Sequence, residues 1–137
     1  MSESDYTKDL SLLKRSENNY PDNPDDAELE SFENRFEKND YWVTFDCPEY
    51  TSLCPVTNQP DFGHITIRYR PDAKIIESKS LKLFIFSFRN FNTFHEESVN
   101  KILDKFVESC DPHECIVEGK FNPRGGISLT IVAEHKK

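Results

Sequence analysis

Glycine is scarce in this chain. Only four of the 137 residues are glycine, at positions 63, 119, 125 and 126. Four glycines at this spacing cannot form the G-x-G-x-x-G turn of a classical dinucleotide-binding domain or a phosphate-binding loop. A Cys-x-x-Cys zinc motif is also absent, and the cluster Cys110, His113 and Cys115 lacks both a familiar spacing and a fourth ligand. No metal site is predicted, and these thiols are expected to be buried or incidental.

Long apolar runs are absent as well. The longest apolar stretch, Leu81 to Phe88, is interrupted by Lys82 and Ser87 and is far too short to span a bilayer. The first residues are polar and acidic, with no apolar stretch behind a basic end. We therefore expect neither a targeting segment nor a membrane span, and a cytoplasmic protein. The four cysteines are expected to be free thiols in a reducing compartment.

Basic residues are too few for a protein that binds nucleic acid. The formal net charge is −8, with 12 acidic and 5 basic residues in 1–40 but 13 and 12 in 41–137. Because an acidic chain repels a phosphate backbone, no direct contact with nucleic acid is expected. The asymmetry predicts a loosely held acidic lead-in over 1–40 and a single domain over 41–137. The lead-in is expected to contain a turn-rich break at 18–26 and a short helix around Glu28 to Phe36.

Several segments have the composition of β-strands. His64–Arg70 alternates cleanly, which places Ile65, Ile67 and Tyr69 on one face of a half-exposed strand. Aromatic and β-branched residues predict a further strand at Tyr41–Phe45, followed later by a loop at Cys54–Asp61. Near the end of the chain, a strand pair is predicted at Cys115–Phe121 and Ile127–Val132, joined by a turn at Asn122–Gly126.

The clearest helix is predicted at Thr93–Cys110. Thr93 and Glu96 have the spacing of a capping box, and apolar residues follow at helical intervals. Leu81–Phe88 remains open, because so short an apolar run suits either a strand or a buried helix. Strands, then helical material, then strands indicate an α+β domain with an antiparallel sheet. The apolar stripe of the predicted helix consists of Val99, Ile102, Leu103, Phe106, Val107 and Cys110.

Cys54 and Asp61 are the candidates for chemistry in the loop. Cys54 precedes a proline in a reachable position, and Asp61 lies seven residues on in a loop that can fold back. A thiolate is a strong nucleophile, and a carboxylic acid can protonate what it attacks. Spacing alone favours a packing role for both residues. Glu96 is either a helix cap or a bidentate acceptor for a guanine-like edge, and the cap is favoured from the residues alone. His95 is either a ligand contact or a surface histidine.

Several sequence motifs favour the functional alternatives for these four residues over the structural ones. The hexapeptide Glu77–Lys82 resembles the signature of the NADPH-dependent nitrile reductases of queuosine biosynthesis. Two segments, Thr51–Pro55 with Cys54 and then Gln59–Phe62 with Asp61, resemble the nucleophile loop of that family. The similarity runs in the right order from about Tyr41 to Ile131. Further matches are Phe86–Asn90, Phe94–Glu96 and Gly119–Gly126.

The resemblance implies a specific reaction. Cys54 would attack a nitrile carbon of a cyano-deazaguanine to form a thioimidate, and Asp61 would protonate the nitrogen, with His95 beside them. Two NADPH molecules would then reduce the adduct to the amine. Glu96 and His95 would bind the guanine-like face, and Ile76, Glu77 and Ser78 would line the same pocket. Lys79, Ser80 and Lys82, with Arg124 as a weaker candidate, would bind the cofactor, because their charge suits a phosphorylated dinucleotide.

The resemblance also implies the tunnelling fold. In this fold an antiparallel sheet carries two helices on one face, and sheets from several copies join into a barrel. A homo-oligomer of stacked rings is implied, with sites at subunit boundaries, and Leu81–Phe88 would be helical. Three rivals remain: an amidinotransferase that adds ammonia to the same nitrile, a zinc-dependent cyclohydrolase, and a module that only binds a purine or pterin. The amidinotransferase is expected to lack the hexapeptide, and the cyclohydrolase needs metal ligands that we do not find.

Overall fold

The computed structural model describes residues 20–137. The part of the acidic lead-in before Tyr20, including the start of the predicted turn-rich break, lies outside this range. Within it, two helices and antiparallel sheets form an α+β fold, as predicted. In chain order the elements are β1 (Ser31–Glu33), β2 (Val43–Leu53), β3 (Pro60–Arg70), β4 (Lys74–Ile76), α1 (Ser78–Phe86), α2 (His95–Cys110), β5 (Glu114–Arg124) and β6 (Ile127–Lys136).

The main sheet has four antiparallel strands in the order β2-β3-β5-β6. Ile65, Ile67 and Tyr69 of β3 are buried on one face, which confirms the alternation seen in the sequence. On the same strand Thr66 is half-buried and Arg68 is exposed, so the other face is polar. One face of the sheet therefore supplies the core and the other remains uncovered.

Two strands extend beyond their predicted ranges. The strand predicted at Tyr41–Phe45 continues to Leu53, past a register shift between Cys47 and Tyr50. The loop predicted at Cys54–Asp61 ends at Gln59, so Asp61 lies on β3 instead of in the loop. The hairpin of β5 and β6 is confirmed. Gly125 and Gly126 form its turn with φ of 58° and 80°, the left-handed region that glycine enters without strain.

Helix α1 covers most of the segment that local pattern left open, as the family resemblance implied. It begins after Glu77, whose carboxylate accepts hydrogen bonds from the backbone N–H of Lys79 (2.9 Å) and Ser80 (2.6 Å). These bonds satisfy two amides that a helix start leaves free. Leu81 and Phe84 are buried against the sheet. Specific capping therefore selects a helix where apolar pattern alone could not.

Helix α2 begins at His95, and the predicted capping box is wrong. The N-cap residue is Phe94, which makes no side-chain capping bond. The Thr93 hydroxyl instead donates to the carbonyl of Phe94 (3.1 Å). Glu96 is consequently exposed in the first turn and has no capping duty. Asp111 ends the helix in the left-handed conformation (φ 44°). The predicted apolar stripe is buried except for Val107, which is half-buried.

The short helix predicted around Glu28 to Phe36 is also wrong, because this segment contains β1. Ser31 of β1 pairs with Ile76 of β4 in a separate antiparallel ribbon. Ala27 and Asn34 are buried, and the Asn34 amide donates to the carbonyl of Asp72 (2.8 Å). The turn-rich break is confirmed at residues 23–26. Residues 24–34 therefore pack on the body of the protein.

Both helices pack on the apolar face of the main sheet. Phe84 of α1 and Phe106 of α2 belong to one buried cluster with Ile65 and Ile67. The ring of Phe106 meets the ring of Tyr69 edge-on at 5.3 Å, a favourable aromatic geometry. Between residues 20 and 137, neither helix is long and apolar enough to cross a membrane.

Candidate active site

Cys54 lies at the carboxyl end of β2, on a tight loop. Its backbone N–H donates to the carbonyl of Gln59 (2.9 Å), and the N–H of Asn58 donates to the carbonyl of Cys54 (2.9 Å). Asn58 takes a left-handed conformation (φ 59°), which asparagine tolerates better than most residues. These two bonds close the loop on itself and hold the thiol in a fixed, half-buried position.

The connection between α1 and α2 supports this loop from the other side. The carbonyl of Phe91 accepts from the N–H of Leu53 (3.0 Å), and the N–H of Thr93 donates to the carbonyl of Leu53 (2.9 Å). Between them, the Asn92 amide donates to the carbonyl of Cys54 (3.2 Å) and the side-chain oxygen of Asn58 (2.9 Å). Asn92 is a functional candidate that the sequence analysis missed, because nothing in the local pattern marks its contact with a loop 38 residues earlier.

The thiol of Cys54 differs electrostatically from the other cysteines. Hydrogen bonds from the Thr57 hydroxyl, and then from the backbone of Thr57 and Val56, lower the pKa of Cys54, while the charge of Asp61 opposes them. Burial raises the pKa of Cys47 to about 11. Burial also raises the pKa values of Cys110 and Cys115 to about 12 each, as expected for packed thiols. Among the four cysteines, Cys54 alone has a lowered pKa, which favours the reactive thiolate.

Asp61 faces the Cys54 loop from the neighbouring strand. It pairs with Ser52 across β2 and β3, and its side chain is only 7% exposed. The Nε of Arg124 lies 2.7 Å from its Oδ1, and the Nε2 of His95 lies 3.9 Å from the same oxygen. The structure thus brings together four residues predicted from sequence: Cys54, Asp61, His95 and Arg124. It places Arg124 beside the acid, whereas the resemblance had assigned it to the cofactor.

His95 is held by an aromatic platform. Its ring stacks on the ring of Phe121 with centroids 3.8 Å apart and planes 11° from parallel. Burial lowers the pKa of His95, against the opposing charges of Asp61 and Glu96, so the neutral imidazole is favoured at neutral pH. Glu96 follows on the exposed side of the first turn. The pair therefore presents a neutral ring and a solvent-facing carboxylate side by side.

Two strand glycines make room for Phe121, a residue that the sequence analysis missed. A Cβ at Gly63 would lie 2.7 Å from Cδ1 of Phe121, and a Cβ at Gly119 would lie 2.8 Å from its Cε2. Neither distance is compatible with the ring in its present position. A glycine inside a strand pattern signals a close approach, so these positions were the available clue.

The remaining predicted residues lie elsewhere on the chain. The backbone N–H of Ile76 bonds to the hydroxyl of Tyr69 (3.0 Å), and Tyr69 is eight residues along β3 from Asp61. Eight residues of strand span about 25 Å. Within one chain, Ile76 is therefore at the opposite end of β3 from Asp61, which faces His95. The structure does not gather the predicted substrate pocket inside a single copy.

A cavity of about 370 Å³ opens between α1 and β2. Lys82 and Ser78 line it together with apolar side chains of α1 and the half-buried Cys47. Lys79 is exposed on the first turn. Ser80 is buried, and its hydroxyl is already engaged with the carbonyl of Glu77 (2.8 Å) and the N–H of Glu30 (2.9 Å). Of the predicted cofactor group, Lys79 and Lys82 are accessible and Ser80 has a structural role in this conformation.

The fold and the site define a class: an α+β protein with a cysteine of lowered pKa near a buried carboxylate. Residues 60–137 match the model of the QueF-like protein family. The chain is 51% identical over 125 residues to proteins named NADPH-dependent 7-cyano-7-deazaguanine reductase from Staphylococcus aureus strains JH9 and Newman, covering 91% of this chain and 75% of each relative. The chain therefore belongs to the QueF-like family, and the resemblance drawn from its motifs is confirmed.

A solved structure shows the same fold. The archaeosine synthase QueF-Like in its apo form superposes with a TM-score of 0.64 at 24% identity, covering 68% of this chain and 91% of that chain. Among residues 20–137 no group of three or more histidine, cysteine, aspartate or glutamate side chains is placed to hold a metal ion.

Proposed function

We propose that the protein is an NADPH-dependent oxidoreductase that reduces the nitrile of 7-cyano-7-deazaguanine to the amine 7-aminomethyl-7-deazaguanine, a step of queuosine biosynthesis. The observation that carries this proposal is the Cys54 thiol of lowered pKa beside the buried carboxylate of Asp61. Relatives that are half identical to the chain bear the name of this reductase. The free thiols fit a reducing, cytoplasmic compartment.

The covalent step adds the S–H group of Cys54 across the C≡N bond. The sulfur forms a bond to the nitrile carbon, one π bond breaks, and a proton from Asp61 reaches the nitrogen to give a thioimidate. The thiol proton is lost to solvent when Cys54 ionises, and Asp61, a carboxylate in the resting site, takes up one proton from solvent and passes it to the nitrogen, so atoms and charge balance. Covalent attachment converts an unreactive triple bond into a C=N group that accepts hydride.

Recognition of the purine-like ring falls to Glu96 and His95. With no capping duty, the exposed Glu96 carboxylate is free to accept two parallel hydrogen bonds from the N–H and amino groups of a guanine-like edge. The neutral His95 ring, stacked on Phe121, forms a fixed wall beside it. Oδ1 of Asp61 lies 3.9 Å from Nε2 of His95. In this binding mode Asp61 would face the nitrile side of the same ligand.

Residues of α1 fit the cofactor. NADPH, when bound, supplies the hydride for each of the two reductions. The exposed Lys79 and the cavity-lining Lys82 offer cations for phosphate groups. The apolar walls of the cavity, from Leu81, Ile85 and Phe86, suit an aromatic ring. Ser80 contributes by fixing Glu77 and the first turn of α1.

Assembly would bring the two groups of residues together. Ile76 contacts Tyr69, which lies about 25 Å along β3 from Asp61, so a site that uses both Ile76 and Asp61 would lie between neighbouring copies. The main sheet also has two long edge strands, β2 with 11 residues and β6 with 10. Such edges are templates for pairing with another chain. A tunnelling-fold barrel formed by edge-to-edge pairing, with sites at subunit boundaries, meets both requirements, with residues 41–137 as the catalytic domain.

The decisive experiment mixes the protein with 7-cyano-7-deazaguanine and follows NADPH oxidation, with the product identified by mass. Cys54→Ala is the test variant, and Cys110→Ala, at the far end of α2 from His95, is the matched control. We expect two NADPH oxidised per amine in the wild type and in Cys110→Ala, and none in Cys54→Ala. An adduct on Cys54 without oxidation would indicate an ammonia-adding enzyme instead. Neither oxidation nor an adduct, in folded and reduced protein, would leave a module that only binds a purine-like ligand.

A further inference from the structure

The guanidinium of Arg124 contacts both the end of the Cys54 loop and the carboxylate of Asp61. Besides its Nε contact with Asp61 (2.7 Å), its Nη2 donates to the carbonyl of Pro60 (2.8 Å) and its Nη1 to the side-chain oxygen of Gln59 (3.3 Å). One guanidinium therefore contacts three consecutive residues, from the last loop position to the acid. Its side chain is 43% exposed while that of Asp61 is 7% exposed.

The contact between Arg124 and Asp61 bears on the charge repulsion between Asp61 and Cys54. A Cys54 thiolate and an Asp61 carboxylate in the same site are two like charges, and the charge of Asp61 acts to raise the pKa of Cys54 for this reason. The groups that face Asp61 are His95 from α2, Tyr50 from β2, Cys54 from the loop and Arg124 from β5.

The other neighbours do not neutralise the carboxylate. Burial lowers the pKa of His95 and raises that of Tyr50, so both are uncharged at neutral pH. Among the described residues that face Asp61, Arg124 is the cation. A guanidinium is suited to this position because it keeps its charge and binds several acceptors at once.

We propose that Arg124 is a positioning residue for the covalent step: it neutralises Asp61, so that Cys54 persists as a thiolate beside it, and it pins the end of the nucleophile loop. The inference rests on the proposed role of Cys54 and Asp61. Arg124 acts through Asp61, so its influence on Cys54 depends on a carboxylate at position 61. No chemical bond to Arg124 forms or breaks.

The test measures the rate of Cys54 alkylation by iodoacetamide against pH, by mass, in wild type, Arg124→Gln, Arg124→Lys, Asp61→Asn and the double variant Arg124→Gln/Asp61→Asn. Loss of the guanidinium is expected to slow alkylation near pH 7 by about tenfold and to move the profile to higher pH. Arg124→Lys retains most of the wild-type rate, and Asp61→Asn reacts at lower pH than the wild type. In the Asp61→Asn background, Arg124→Gln is expected to change the rate less than twofold.

Two results would overturn the inference: an unchanged profile in Arg124→Gln, or an equal shift with and without the Asp61 carboxylate. The second would mean that Arg124 acts on the thiol directly. Circular dichroism and thermal unfolding of each variant separate misfolding from the charge effect. Adduct formation with 7-cyano-7-deazaguanine is measured on the wild type in parallel. Its failure would reject the proposed function while the alkylation comparison still decides the role of Arg124.

Discussion

The ring of His95 lies parallel to the ring of Phe121, with centroids 3.8 Å apart. This contact joins the first residue of α2 to the strand β5 and sets the plane of an imidazole that also faces Asp61. Phe121 is 4% exposed and meets Tyr50 edge-on at 5.9 Å. The position of the histidine is thus fixed by the packing of the core, and the core at this point is shaped by two glycines.

Gly119→Ala is expected to destabilise the protein by about 1–3 kcal/mol, the usual range for inserting a methyl group into a packed core. The new Cβ would lie 2.7 Å from Cγ2 of Val99 and 2.8 Å from Cε2 of Phe121. Urea unfolding measures the loss. In a Phe121→Leu background the penalty should fall by more than about 0.5 kcal/mol, because the two positions share one space. Equal penalties in both backgrounds would show that the ring is not what the methyl group meets.

Iodoacetamide at pH 8 is expected to label Cys54 well before the other three cysteines. Hydrogen bonds lower the pKa of Cys54, so its thiolate fraction at this pH exceeds that of an ordinary cysteine, whereas burial raises the pKa of Cys47 to about 11. At a pH three units below its pKa, a thiol is ionised in roughly one molecule in a thousand. Intact-mass analysis should show a single addition, which peptide mapping places at Cys54. Cys54→Ser is the control, and it should remain unlabelled over the same time.

Glu77→Ala is expected to cost about 1 kcal/mol of unfolding free energy at pH 7, since it removes two capping bonds at the start of α1. These bonds hold the pKa of Glu77 below its ordinary value of 4.5. The carboxylate therefore stabilises the fold fully above pH 4.5, and this contribution disappears as the pH falls through the lower pKa of the folded state. Urea unfolding at pH 7 and at lower pH measures it. Glu37→Ala, in an exposed turn, should change stability by less than about 0.5 kcal/mol.

Glu96→Ala is expected to weaken binding of 7-cyano-7-deazaguanine by about tenfold or more, as a charged hydrogen-bond pair is lost. Binding of NADPH should be little changed, because the proposed cofactor residues lie on α1. Calorimetric titration of the Cys54→Ala protein, with and without Glu96→Ala, separates affinity from chemistry. Equal weakening for both ligands would indicate that the substitution disturbs α2 rather than a substrate contact.

Two inactive variants are expected to restore activity when mixed. Cys54→Ala lacks the proposed nucleophile, and Lys79→Ala/Lys82→Ala lacks the proposed cofactor cations. With sites shared between neighbouring copies, random co-assembly gives up to about a quarter of sites with both groups intact. The measurement is NADPH oxidation after the two proteins are unfolded and refolded together. Persistent inactivity in a co-assembled mixture would place both groups of residues within one chain.

Much of the fold follows from local pattern. Strict alternation at Ile65, Ile67 and Tyr69 predicts β3, and the spacing of Val99, Ile102 and Phe106 predicts α2. The start of α2 is not predictable in the same way, because a Thr-x-x-Glu spacing is compatible with a capping box but does not require one. Here the Thr93 backbone is held by Leu53, a partner 40 residues away in sequence, and its hydroxyl turns to Phe94. Long-range pairing decides this terminus.

The candidate site is predictable only in part for the same reason. Motif resemblance identifies Cys54, Asp61 and His95, and the structure brings these side chains close together. The ion pair of Arg124 with Asp61 depends on the register of β3 and β5, which no local pattern specifies. The roles of Asn92 and Phe121 likewise arise from contacts across distant segments. The candidate residues can be picked out from the sequence, whereas the contacts between them depend on the folded sheet.

The close packing of Gly63 and Gly119 against the ring of Phe121 also limits which substitutions these three positions can accept. Either glycine can gain a side chain only if the ring of Phe121 shifts, and a smaller residue at 121 removes the platform under His95. A substitution at one of these positions is therefore expected to be less costly after a compensating change at another. Three residues spread over 59 positions of the chain are expected to change together rather than singly.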